Sequence, residues 1–389
     1  MSASSPEILA DQSVRGQSGA TQHMDALTGY RGVACLLVVL VHGAGYTAYP
    51  SVGIQGYGPI ALFVLSGYLL IAPWSKWSLG QGRQPDLRTF ARRRLARIFP
   101  PYLVLLAVVA IIYPASQPQG LWSWVRALTL TNWLRSDGLR PAMQHLWSMG
   151  TEFSWYVALP AIGALLGLLG RRVWPGRPLR PIIAVLLGAT LTTIAWDVWL
   201  ATGDHSLSEK LTYPMWLPAH LASFVVGATV RHVQIVASAG RSPRLAALAS
   251  RWWLPAAGAL VAFVVLLSPV VGAPGWTPLT PQERGIRTVA DLALAAFLLV
   301  ALLMGRGKNP LAQALSTRPM VAVGRWSYGI YLWHLPVTVI AANHLTIHPG
   351  PMGFVSWIAI LGVISTALGA VSYRFVEVPA IDWSKRTKA

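Results

Sequence analysis

The stretch Tyr30-Arg31-Gly32-Val33-Ala34-Cys35-Leu36-Leu37-Val38-Val39-Leu40-Val41-His42 is an apolar run bracketed by an arginine and a histidine. Its length and composition suit a helix buried in hydrocarbon. On such a helix Arg31 and His42, eleven residues apart, lie within about 20° of the same face and roughly 16 Å apart along the axis. The arginine then stands at one mouth of the membrane and the histidine near the midplane. Ionisable groups at that depth are costly and mark functional positions by default. The plainer alternative is a snorkelling arginine and a histidine satisfied by a neighbouring helix. Cys35 reads as a small core residue.

The rest of the chain agrees with a membrane setting. Its 389 residues are 54% hydrophobic and only 11% charged, against about 25% charged in average globular chains. Mean hydropathy is +0.50. About ten spans of roughly 20 apolar residues are expected, centred on Val38, Val64, Leu106, Ala158, Leu191, Val226, Val261, Leu298, Val337 and Ile364. The expected fold class is therefore an all-α integral membrane protein. Residues 1–24 read as a disordered tail, 25–380 as one transmembrane domain and 381–389 as a second tail. A single cysteine excludes a disulfide scaffold or a cysteine-based metal cluster.

Net charge is +18, which by itself would allow nucleic acid as a partner. Its distribution argues otherwise. If the N-terminus is cytoplasmic, the outer segments keep only Arg126, Arg135, Arg140, Lys210, Arg284 and Arg287, and the other Lys and Arg collect inside. That asymmetry is a positive-inside signal, placing both termini in the cytoplasm. Arginine far outnumbers lysine, with Ala, Gly and Leu abundant, which suits a GC-rich bacterial genome and hence a bacterial plasma membrane. The charge then reports topology and anionic membrane lipid, and no nucleic-acid partner is expected.

The densest basic segment is Arg92-Arg93-Arg94-Leu95-Ala96-Arg97-Ile98-Phe99-Pro100. Arg93 and Arg94 each share a helix face with Arg97, so the three form a cationic ridge. Planar guanidinium forks bind phosphate bidentately, which suits a polyphosphate ligand at the inner surface. Anionic lipid suits the ridge equally well. Farther on, Glu152 lies just inside the fourth span, placed to orient His42 or to bind acceptor hydroxyls, or else to serve as a structural acid. His334, beside Pro336, either joins a buried site or satisfies carbonyls that the proline frees. Ser66 lacks the Gly-x-Ser-x-Gly elbow of a nucleophile; back-bonding, with close packing at Gly67, explains it better. Asp197 and Asp291 read as locally paired acids. No phosphate-binding glycine loop or His-Glu-x-x-His motif occurs, so no metal is expected.

Several of these residues together resemble the acyltransferase-3 family of membrane O-acyltransferases. The resemblance runs through Arg31 with His42, Phe63-Val64-Leu65-Ser66-Gly67-Tyr68, and Arg94-Leu95-Ala96-Arg97-Ile98-Phe99-Pro100. It continues through His145-Leu146-Trp147-Ser148 with Glu152, Ser327-Tyr328 with Tyr331-Leu332-Trp333-His334-Leu335-Pro336, and Tyr373 with Glu377 and Pro379. It covers about Leu27 to Pro379 and departs from the family at Ile60 and Phe153, where acids are common. It implies a ten-helix enzyme that moves an acyl group from cytoplasmic acyl-CoA to a hydroxyl of a glycan, glycolipid or glycosylated metabolite. It also implies His42 as the catalytic histidine paired with Arg31, and Arg94 and Arg97 at the donor entrance, with Tyr331 carried in the family's later motif. The residues themselves leave a second class open. A secondary transporter or flippase would use His42, Glu152, His334 and Asp291 as a proton relay.

Overall fold

In a computed structural model the chain is described over residues 6–52, 56–135, 138–239, 251–273, 279–304 and 309–386, with side chains from Met24 onward. Every regular element among these residues is helical. In chain order they are α1 (Pro6–Ala44), α2 (Tyr57–Leu70), α3 (Ala72–Ser78), α4 (Leu87–Ile112), α5 (Leu121–Leu128), α6 (Leu146–Leu168), α7 (Arg180–Thr202), α8 (Leu207–Thr212) and α9 (Leu217–Ser238). Then follow α10 (Trp253–Leu266), α11 (Pro281–Leu303), α12 (Pro310–Leu315), α13 (Arg318–His344), α14 (Gly350–Ser372) and α15 (Val378–Arg386). The backbone continues α1 back to Pro6, where the sequence reading placed a disordered tail; adding turns to an existing helix costs little beside nucleating one.

Eight helical segments among the described residues are long and apolar enough to cross a membrane, and the protein is a multi-pass membrane protein. The expected spans centred on Val261 and Val337 fall on the two remaining helices. Of these, α10 is apolar but 14 residues long. The other, α13, has 27 residues, but Arg318, Arg325 and His334 interrupt its apolar run. The outward faces fit lipid. Leu191, Val261 and Val363, on α7, α10 and α14, are 65–70% exposed, a loss that water would impose and hydrocarbon does not.

The functional region is set by how α1 and α13 cross. They run parallel, with Cys35 Sγ donating to Ser327 O at 3.1 Å and His42 meeting His334 about two turns farther on. Glycine permits this approach: a Cβ added at Gly324 would lie 1.8 Å from Thr28 O. Without a shift of the backbone, no side chain fits. Gly324→Ala should therefore destabilise the protein by about 1–3 kcal/mol through overpacking, read as a lower unfolding midpoint in detergent. An unchanged midpoint would mean that the two helices part freely.

Candidate active site

Proline chemistry on α13 organises the first half of the site. Pro336 has no N–H, so the carbonyl of Leu332, four residues earlier, loses its helical partner. His145 Nε2 takes that carbonyl at 3.1 Å. Leu332 O can only accept, so Nε2 of His145 carries the proton. Its Nδ1 is buried with no partner. The His145 ring stands edge-on to His334, with centroids 4.9 Å apart. Tyr331 O–H in turn donates to His145 O and shares a 2.7 Å hydrogen bond with Ser148 Oγ. The carbonyl freed by the helix break is thus satisfied by His145, and His334 is left for another partner.

That partner is His42. His334 Nδ1 lies 2.5 Å from Tyr331 O, and a carbonyl accepts only, so Nδ1 is protonated. Nε2 of neutral His334 must then accept, and 3.1 Å away it meets His42 Nδ1. His42 Nδ1 also lies 3.0 Å from Val38 O, a second acceptor. The network therefore assigns the His42 proton to Nδ1. Nε2 keeps its lone pair and bonds to no protein group among the described residues. His334 itself is fully buried. It sits about 24 Å from the start of α13 and about 15 Å from its end at 1.5 Å per residue.

Two cavities lie close by: Tyr331, whose carbonyl His334 bonds, lines the smaller, and His42 lines the larger. One, of about 290 Å³, is lined by Arg31, Arg94, Arg97, Ser66, Glu152 and Tyr331 among others. The other, of about 760 Å³, is lined by His42 with Val38, Gly58, Trp147 and Leu335. Neighbours in sequence part company here: Ser148 lines the small cavity and Trp147 the large one. On α13, Tyr331 faces the first and Leu335 the second.

In the small cavity Arg31 donates from Nε at 3.0 Å and from Nη2 at 2.5 Å to Gly324 O. The Arg94 guanidinium lies over the Tyr156 ring, 5.8 Å from its centre. Among the described residues no carboxylate stands at ion-pair distance from Arg94 or Arg97. Glu152 Oε1 accepts from Ser66 Oγ at 3.0 Å and from Tyr156 O–H at 2.6 Å. Three guanidinium groups against one carboxylate make this cavity selective for anions.

The structure thus brings Arg31, Arg94, Arg97, Ser66, Glu152 and Tyr331 to one cavity and His42 to the wall of the other, with His334 buried and bonded to His42. It does not bring Arg93 in: that side chain is exposed and lines neither cavity. Glu152 is bonded to Ser66 and Tyr156 and makes no hydrogen bond to His42, and Ser66 bonds to it in place of an earlier carbonyl. Asp291 is buried with Oδ1 unpartnered and makes no contact with the histidines. No group of three or more His, Cys, Asp or Glu among the described residues is arranged to hold a metal ion.

Two residues that sequence reasoning did not assign to the site belong near it. His145 stood in a quoted motif, and Pro336, which creates its role, stood in another. Glu377 is 2% exposed and lies within electrostatic reach of Arg97 and Arg31. It ends a π-helical turn, Tyr373–Glu377, a distortion often found at functional positions.

Comparison with known proteins gives the site a context. The family described as an acyltransferase domain matches residues 24–374. O-acetyltransferase OatA of Staphylococcus aureus is 23% identical over 386 residues, covering 92% of this chain and 57% of that protein. Peptidoglycan O-acetyltransferase OatA of Listeria monocytogenes is 24% identical, covering 92% of this chain and 56% of its own length. The chain thus spans little more than half of either. Acyltransferase MdmB of Streptomyces mycarofaciens is 26% identical, covering 90% of this chain and 87% of its own.

Proposed function

Because this chain belongs to the acyltransferase-3 family, we propose that it moves a short acyl group, such as acetyl, from acyl-CoA to a hydroxyl on a sugar of a glycan, glycolipid or glycosylated metabolite. The observation that carries this reading is a cavity lined by three arginines together with a larger cavity lined by His42, whose Nε2 is free among the described residues. The relatives' names, O-acetyltransferase and acyltransferase, support the reaction class. The arginine end faces the cytoplasm, where acyl-CoA is found. All ten expected helices cross the bacterial plasma membrane and both termini are cytoplasmic, an orientation that the sidedness of Lys and Arg supports.

Each substrate takes one cavity. At about 290 Å³ the cationic one sits at the low end of the ~300–1,000 Å³ range of ligand pockets. It holds the narrow thioester arm of acyl-CoA, with phosphates toward Arg94 and Arg97. A hydroxyl entering the larger cavity meets His42 Nε2. A sugar hydroxyl is a poor nucleophile at neutral pH, so the element it needs is a base, and neutral imidazole suits the task. His42 Nε2 takes the hydroxyl proton, the oxygen bonds to the acyl carbon, and the carbon–sulfur bond breaks. The leaving CoA thiolate then receives the proton held by the histidines. His334 assists: as His42 Nε2 gains a proton, its Nδ1 proton can pass to His334 Nε2, spreading the positive charge over both rings.

The reading is tested with purified protein in lipid nanodiscs, radiolabelled acetyl-CoA and a panel of glycosides. Labelled ester and free CoA should appear in equal amounts; proton or solute flux without ester would make the protein a transporter. His334→Gln keeps an acceptor for His42 Nδ1 but cannot take its proton. Losing that charge-assisted contact, about 1.5–3 kcal/mol, should lower kcat roughly 10–150-fold with KM for acyl-CoA unchanged. A wild-type kcat would reduce His334 to a helix contact.

A further inference from the structure

Among its described lining residues the larger cavity carries no aspartate, glutamate, lysine or arginine. Val41, Leu139, Trp147, Leu211 and Met215 are among the apolar and aromatic side chains of its wall. Besides His42 and Trp147, the described side chains there that can hydrogen-bond a ligand are Tyr46, Gln144, Ser208 and Thr212. The contrast with the smaller, arginine-lined cavity is a contrast of substrate chemistry. A stretch of polysaccharide brings many hydroxyls, and each one drawn from water without a partner is penalised. A wall of this kind leaves most of them unpaired. An apolar body gains by leaving water in proportion to the area it buries. The volume, about 760 Å³, lies in the range that encloses a single small molecule.

We propose that the acceptor is an uncharged amphipathic small molecule, a hydroxyl-bearing ring attached to an apolar body, and not a segment of hydrated polysaccharide. The apolar body packs against Val41, Leu211 and Met215 while one hydroxyl reaches His42 Nε2. This assignment rests on the acyl-transfer reading of the same site. The chemistry is unchanged: one oxygen–acyl bond forms, one carbon–sulfur bond breaks, and the hydroxyl proton ends on CoA.

The test compares three acceptors with acetyl-CoA and nanodisc-embedded protein: 4-methylumbelliferyl β-D-glucoside, methyl β-D-glucoside and chitotetraose. Burial of the aryl ring should raise kcat/KM at least about tenfold over the methyl glucoside, and chitotetraose should do no better than the methyl glucoside. Leu211→Asn, and separately Leu139→Asn, should shrink the aryl preference. Equal use of the two glucosides, or preference for chitotetraose, overturns the assignment and leaves acyl transfer standing. Anisotropy of the fluorescent glucoside, corrected with protein-free nanodiscs, separates the two ideas if no acceptor is acylated. Binding that methyl glucoside competes for roughly tenfold less well and that Leu211→Asn weakens upholds the cavity assignment and removes acyl transfer. Absence of binding overturns the assignment.

Discussion

Replacing His42 with alanine is expected to lower acyl transfer by about 10²–10⁴-fold, the usual contribution of a positioned general base. The expectation follows from a single nitrogen. Nδ1 is committed to Val38 O and His334 Nε2, so only Nε2 can accept a proton, and no other group among the described residues occupies it. No carboxylate among the described residues bonds to this imidazole. Binding of acyl-CoA should survive, because His42 lines the larger cavity and the arginines the smaller. Initial rates together with acyl-CoA affinity in the variant separate these effects. Near-normal turnover would remove His42 from the chemistry, and lost donor binding would place it in the wrong cavity.

The second large effect belongs to the donor. Arg94→Ala and Arg97→Ala should each weaken acyl-CoA binding by about 1.5–3 kcal/mol, the scale of a hydrogen bond to a charged group. That is about 10–150-fold in Kd. The double variant should lose more than either alone, while KM for the acceptor barely changes. Both guanidinium groups line the small cavity without an ion-paired carboxylate among the described residues, so their charge is available to phosphate. Isothermal titration with CoA itself reads the effect without turnover. Wild-type affinity in the double variant would reduce the ridge to a lipid contact.

Much of this was legible in residue spacing. The eleven-residue interval from Arg31 to His42 placed both on one helix face, and both do line cavities. That they line different ones was not legible, because it depends on where Trp147 and Ser148 of α6 come to rest between them. The ridge of Arg93, Arg94 and Arg97 follows from helical period alone. Which two turn inward depends on packing: Tyr156 of α6 lies beneath Arg94, and Arg93 is left outside. Glu152, just inside the fourth span, left a place beside His42 open as one of its readings. The axis of α6 carries it instead about 7.5 Å past Trp147, to Ser66 and Tyr156. His145 was hidden for another reason. Its role arises when Pro336 frees Leu332 O, a local event read easily, but the histidine that answers it comes from 187 residues away.

Transfer is expected to be direct: His42 activates the acceptor, and no acyl group rests on the protein. A rapid-quench experiment with radiolabelled acetyl-CoA, first without acceptor and then with it, tests this most directly. Free CoA should stay at the background of slow hydrolysis until acceptor is added, then appear together with an equal amount of acyl ester. A burst of one CoA per protein without acceptor, with label retained on the chain, would contradict the claim and establish an acyl-enzyme.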